Sequence, residues 1–463
     1  MGEEAGPRQD AGTGSFGRDG TMTQTSAYEK VRFVGYAIPT TPADMIAVGD
    51  PNGTGSVAGT YRASPDTSID IDARLRQLKE AVNATVSALP DPPDPTVLTV
   101  FVAPEFYWHG RMGPYVFSRD EEDPAELILT ALQAAFPVRD YPHFLFVFGS
   151  VITTRVDDLE AVFAASSTRV RNDVVKALGQ SWRATSGPLS LVILDMIVDF
   201  VKNCHAYPNV EVRNRALIVS GGDLNGVLDE FGSATLTTEK YFDSNEDFLL
   251  WDVTNQPVIT EQMTAYPVLD LSGGDFKKHA HDSKAIFRVG ASAPSNVAVE
   301  ICLDHTDRRL RKSIDRNPWP ERADGIDLHI VPSCGMQLHP SAVAARAGGW
   351  AFNCDGQYGL GVPLSAGVAQ SGEIAGVTCV YADYVSPADA VYSAHSQLAR
   401  VGRAAKVGDE MAPGAMNAGF DAVPDVDVRI IPVPAIADLD GYFSGGAGAL
   451  HIYGTVNPLP MRA

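Results

Sequence analysis

TVLTVFVAPEFYW, Thr96 to Trp108, is the stretch on which the reading of this chain turns. Val97 to Ala103 is apolar at every position but Thr99 and rich in β-branched and aromatic residues. It is too short for a helix and reads as a strand buried on both faces. It then runs into Pro104 and Glu105, a polar turn. Upstream, IDIDARLRQLKEAVNATVSAL (Ile69 to Leu89) has the spacing of an amphipathic helix, stopped by PDPPDP. VRFVGYAI (Val31 to Ile38) is a further strand. Downstream come a helix around Pro124 to Phe136 and the strand FLFVFGSVI (Phe144 to Ile152). Alternating strands and helices of this kind predict an α/β domain with a covered sheet.

Residues 1–27 are Gly, Asp, Thr and Ser with almost no apolar pattern, and are expected to be disordered. GTGSFG (Gly12 to Gly17) matches a dinucleotide fingerprint in letters alone, since no strand precedes it and no helix follows. Residues 153–208 read as a helical insert. Strands resume at NRALIVSGG, NVAVEICLD, GIDLHIVPS, WAFNCDG, GVTCVYADYV and DVRIIPVP. No repeat or sharp linker divides the chain, so one domain over 28–434 is expected, with a C-terminal extension over 435–463.

Of 463 residues, 45% are hydrophobic and 20% charged, the balance of a soluble globular protein. A formal net charge of −21 argues against a nucleic-acid partner, which would call for a basic patch. The five cysteines, Cys204, Cys302, Cys334, Cys354 and Cys379, form no CxxC pair or regular framework. They predict reduced thiols in a cytoplasmic protein. No signal peptide is evident. PLSLVILDMIVDFV (Pro188 to Val201) is too short to span a bilayer and carries Asp195 and Asp199 on one helical face. It predicts an amphipathic helix that covers the core, closes a site or meets a partner subunit, and no membrane association.

A second stretch, SNVAVEICLDHTD (Ser295 to Asp307), ends an apolar strand at Cys302 amid Glu300, Asp304 and His305. A lone strand Cys is usually a small core hydrophobe; a nucleophile needs a base and an oxyanion partner. Glu105, at the end of the other apolar strand, is a candidate base. Lys240, in LTTEKYFDSNEDF, is a candidate cation, with Lys277, Lys278 and Lys284 as rivals.

The arrangement resembles the nitrilase (carbon–nitrogen hydrolase) superfamily. VFVAPEFYW is similar to its Glu motif and VAVEICLDH to its Cys motif, in the family's order Glu, Lys, Cys. Collinear landmarks run along about 31–434, among them FVFGSVI, RNRALIVSGG with Asn214, RAGGWAFNCDGQYG and YSAHSQLARVG. The Lys context, Glu-Lys240-Tyr-Phe, departs from the family's pattern, and Thr306 stands where amidase-type members often carry Arg. The resemblance implies a four-layer α-β-β-α sandwich with a helical insertion. It implies a cofactor-free enzyme acting on a small-molecule substrate as a homodimer or larger homo-oligomer. Its triad would be Glu105, Lys240 and Cys302, supported by Glu246 (with Glu261 behind it) and by the N–H of Leu303. The activity implied is hydrolysis of a non-peptide, amide-type carbon–nitrogen bond through a Cys acyl-enzyme. An acyltransferase using the same intermediate and a catalytically silent scaffold are the alternatives.

Tyr107, Trp108 and Tyr115 either line a substrate pocket or pack in the core. His305 and Asp307 either shape substrate entry or sit in a solvent-facing turn. His279, His281 and Asp282, in HAHDSK, have metal-ligand spacing but no third ligand motif, so a surface loop and no metal are expected.

Overall fold

The computed structural model of the protein describes residues 28–48, 56–156, 180–193, 210–240, 285–311 and 325–462, apart from short breaks within those spans. In chain order the elements are β1 (Lys30–Ala37), β2 (Ala43–Val48), β3 (Ser56–Thr60), α1 (Thr67–Ala88), β4 (Val97–Ala103), β5 (Tyr115–Ser118), α2 (Pro124–Ala135) and β6 (Phe144–Val156). Then follow β7 (Val210–Ser220), β8 (Leu224–Asn225), β9 (Thr235–Glu239), β10 (Ile286–Val289), β11 (Ser295–Val299), the single turn α3 (Leu303–Thr306), β12 (Ile326–Ser333) and β13 (Ala345–Asp355). The chain closes with β14 (Gln370–Ile374), β15 (Val377–Val385), β16 (Ser393–Arg403), β17 (Gly419–Asp421), β18 (Val428–Pro432), β19 (Ala449–Tyr453) and β20 (Leu459–Pro460).

Two mixed sheets result. The first runs β18-β19-β1-β4-β6-β7-β9, and the second β14-β15-β16-β13-β12-β11-β10-β8. Parallel neighbours β1, β4 and β6 are joined through α1 and α2. Both helices start on an aspartate cap: Asp66 accepts from the Ile69 N–H, and Asp123 from that of Ala125 ahead of Pro124.

Strand alternation sorts the side chains into layers. Leu98, Val100 and Val102 of β4 face Leu328, Ile330, Phe352 and Leu398 of the second sheet, forming the core between the sheets. Phe101 and Ala103 point the other way, onto Leu75 and Leu78 of α1 and Ile128 and Leu132 of α2.

The expected four-layer α-β-β-α sandwich is not what forms. The protein is mostly β, and among the described residues helices of more than a turn or two cover only the first sheet. The outer face of the second sheet packs against irregular segments through Leu310, Leu338, Val343 and Val362. The reason lies in the connections. Parallel strands β12 and β13 are joined by residues 334–344, which contain Gly335 and Pro340 and leave little room for a crossover helix.

Two boundaries also differ. β6 continues to Val156, into the expected insert, and the remainder of 153–208 is described only in part, within 180–193. The segment after 434 is part of the first sheet: β19 pairs antiparallel to both β1 and β18. Residues 1–27, with their expected disorder, lie outside the described residues, as does most of Pro188 to Val201. No helix among the described residues is long and apolar enough to cross a membrane.

Candidate active site

β4 and β11 deliver Glu105 and Cys302 to one place, the C-terminal end of β12. The Glu105 N–H donates to the Ser333 carbonyl at 3.3 Å, and the Cys302 N–H to the Pro332 carbonyl at 3.1 Å. Those acceptors belong to consecutive residues, whose Cα atoms lie about 3.8 Å apart. The Glu105 turn is held across the sheets: Thr40 Oγ1 donates to the Glu105 carbonyl at 2.7 Å, while the Gly356 N–H shares Ser333 O. Its tightness depends on Gly149, at φ +71°, where a Cβ would collide with the Pro104 carbonyl oxygen and lie 2.9 Å from Tyr107 Cβ.

The Glu105 side chain is fully buried. Its Oε1 accepts from Lys240 Nζ at 3.0 Å and from Asn214 Nδ2 at 2.9 Å. Strand register accounts for this convergence. β7 and β9 pair with Arg215 opposite Glu239, so Asn214 comes opposite Lys240, and the Lys240 N–H donates to Asn214 O at 2.8 Å. Alternation turns Arg213 and Glu239 to the other face, where they form a bidentate pair at 2.9 and 2.6 Å. A buried cation, carboxylate and amide thus meet beside the turn carrying the thiol.

Cys302 is 8% exposed and sits at φ +43°, a left-handed conformation unusual for a residue with a side chain. Its carbonyl accepts the His305 N–H at 2.8 Å, and its Sγ lies 3.9 Å from the Cys334 carbonyl oxygen. Leu303 opens α3, so its N–H has no acceptor within that turn of helix. Arg309 Nη1 donates to Asp304 Oδ2 and to Glu239 O, both at 2.7 Å. This one guanidinium couples the Cys302 turn to the end of β9, where Lys240 begins. Burial pushes the Cys354 thiol well up and the Cys379 thiol up to about 12, which excludes both as ready nucleophiles.

Other expected site residues are placed differently. Tyr107 and Trp108 have no exposed surface and pack toward α1 and α2, not toward the thiol. Tyr107 OH donates to Arg74 O at 2.9 Å, and Trp108 Nε1 to Phe148 O at 2.8 Å. Tyr115 is buried among them and donates to Asp70. His305 is also fully enclosed, so it cannot border a substrate path. Glu246, Glu261, Lys277, Lys278, Lys284, His279, His281, Asp282, Asp307 and Cys204 lie outside the described residues.

Three contributors went unread in the sequence. Asp355 collects five donors: Ser333 Oγ and the N–H groups of Gly335, Met336, Gln357 and Tyr358. It thereby shapes the loop beside Cys302. Arg309 is the second, and the third is His329, in the strand DLHIV. A histidine or aspartate in a fully buried strand is the signal that could have flagged His329 and Asp355, because such groups need partners.

Comparison of the chain with known protein families, with characterised proteins and with solved structures finds no match.

Proposed function

We propose that the protein is a thiol hydrolase of a non-peptide, amide-type carbon–nitrogen bond in a small molecule. The observation that carries this reading is the buried Glu105–Lys240 pair, lodged at the same end of β12 as the strained Cys302 turn. A structural cysteine has no need of a desolvated carboxylate and a cation; an attacking thiol needs both. The similarity of the Glu and Cys motifs to those of nitrilase-superfamily enzymes points the same way, and the proposal does not rest on the layered architecture.

In the proposed reaction Glu105 accepts the Cys302 proton as Sγ attacks the carbonyl carbon. The carbonyl electrons move onto oxygen, held by Lys240 Nζ and the Leu303 N–H. As the intermediate collapses, the carbon–nitrogen bond breaks, Glu105 returns the proton to the amine, and a thioester remains. Water, deprotonated by Glu105, attacks the thioester. Sulfur leaves with a proton and the acid is released.

The test is intact-mass spectrometry of wild-type and Cys302→Ala protein after incubation with amides, nitriles and carbamoyl compounds. An acyl adduct confined to wild type, with its mass naming the acyl group, is expected. A Cys302→Ala protein that still turns over a substrate found this way would overturn the reading.

A further inference from the structure

Behind the Cys302 turn lies a cluster that the proposed reaction does not use. Glu300, His305 and His329 are fully buried on the side of the second sheet that faces away from the core between the sheets. Glu300 Oε1 meets His305 Nδ1 at 2.7 Å and His329 Nε2 at 2.8 Å. Two imidazoles and a carboxylate this close have the composition of a metal site.

The outer ring nitrogens argue otherwise. The His339 N–H donates to His305 Nε2 at 3.1 Å, and the Ala344 N–H donates to His329 Nδ1 at 3.1 Å. A nitrogen that accepts an N–H carries a lone pair, so the proton of each neutral imidazole sits on the inner nitrogen, directed at Glu300. Metal-bound histidines have the reverse arrangement, with the outer nitrogen as a donor. Here an ion would have to displace both inner protons or break both backbone bonds.

From this geometry we infer that Glu300, His305 and His329 form a proton-locked clasp, not a metal site, and that they act as positioning residues for Cys302. Glu300 precedes the cysteine by two residues and His305 follows it by three, so their bond closes the turn like a staple. His329, in the middle of β12, anchors the staple to the sheet whose end receives Glu105. A non-glycine residue at φ +43° persists only when its surroundings over-determine it, and the clasp supplies that constraint. Charges facing it are Arg309 and Arg311, with Asp304 taken up by Arg309, and the His339 ring lies 6.1 Å from that of His305. The positioning role rests on Cys302 being the nucleophile; the tautomers and the absence of metal affinity do not.

Two measurements on the full-length chain separate these parts. Long-range proton–nitrogen NMR of histidine-labelled protein at pH 7, assigned with His305→Gln and His329→Gln, is expected to show His305 as the Nδ1–H tautomer and His329 as Nε2–H. Neither signal should move when zinc ion is added. Opposite tautomers, or a stoichiometric zinc-induced shift, overturn the clasp whatever Cys302 does.

The second measurement is the iodoacetamide labelling rate at Cys302 against that at Cys334, in wild type, Glu300→Ala and Glu300→Gln. Glutamine keeps an Oε1 that can accept from both imidazoles, whereas alanine has no acceptor. Expected is at least a tenfold loss at Cys302 in the alanine variant, recovery to within threefold in the glutamine variant, and no change at Cys334. A Cys302 rate in Glu300→Ala that is unchanged or faster, or equal losses in both variants, overturns the positioning role. Wild-type Cys302 reacting no faster than Cys334 would instead sink the hydrolase reading, and the positioning role with it.

Discussion

Replacing Lys240 by methionine removes a cation from a site where its partner has almost no access to water. The Lys240 and Glu105 side chains are 2% and 0% exposed, and Nζ lies 3.0 Å from Oε1. At an effective dielectric constant of about 20, two charges at that distance attract by roughly 5–6 kcal/mol. Much of this offsets the cost of taking both out of water, so the pair as a whole contributes little net stability. Breaking it from one side is a different matter, because it leaves a buried carboxylate, which also accepts from Asn214 Nδ2, without the cation that balances its charge. Lys240→Met should therefore cost about 3–5 kcal/mol. The double variant Glu105→Gln/Lys240→Met removes the stranded charge and leaves an amide oxygen for Asn214. It should recover most of that loss, with a coupling energy of about 2–4 kcal/mol. Urea unfolding followed by tryptophan fluorescence reads both, since Trp108 and Trp350 report on the two cores. A loss under about 1 kcal/mol for Lys240→Met, or a double variant no better than the single, would refute the reasoning on the pair. Turnover should be lost in the single and the double variant alike.

Gly149→Ala should destabilise the protein by about 2 kcal/mol or more and slow Cys302 labelling, because its φ of +71° and the Pro104 carbonyl leave no room for a methyl group; a melting temperature within 1 °C of wild type would contradict this. Asp355→Asn should cost about 2–4 kcal/mol in urea unfolding, since its amide group would face N–H donors that now bond to the carboxylate. For the pH dependence, burial is the larger influence on His305 and pulls it from 6.5 to about 4, against its bond to Glu300. Burial would push Glu300 up, yet the electrostatic influence of His329, with the bonds from His305 and His329, outweighs it and holds the carboxyl at about 2. An unfolded chain takes up the histidine proton first, so His305 removes stability as pH falls from 6.5 to about 4. The Glu300 contribution, present above 4.5, is lost between 4.5 and about 2. Each amounts to roughly 3 kcal/mol. Melting temperature should fall steadily from pH 6.5 to 4.5, with a shallower slope in His305→Gln; a flat profile in wild type would count against the buried neutral imidazole.

Every element that brings Glu105 to the site was legible in local pattern. The apolar run Val97 to Ala103, the amphipathic helix of Ile69 to Leu89 and the proline stop after it are short-range features whose physics acts within a few residues. So was the thiol at the end of Val297 to Ile301, because a strand that stops at a cysteine and an acid marks where backbone leaves a sheet.

The layer arrangement and the partners lay elsewhere. Whether a connection carries a helix depends on the span it must bridge once strands are paired, and the 334–344 connection joins neighbouring strands without one. Tyr107 and Trp108 follow Glu105 in sequence, yet the positive φ of Phe106 and the Gly149 approach turn them to the opposite layer. What brings Lys240 to Glu105 is register, since the pairing of Arg215 with Glu239 lays Asn214 beside it. The Glu300–His305–His329 clasp joins a strand end, a turn of helix and the middle of a second strand. Local sequence determined which segments would be strands and where they would end in chemistry. Which of those ends come together was decided by long-range pairing, because hydrogen-bond register between distant strands is set by packing that no local stretch contains.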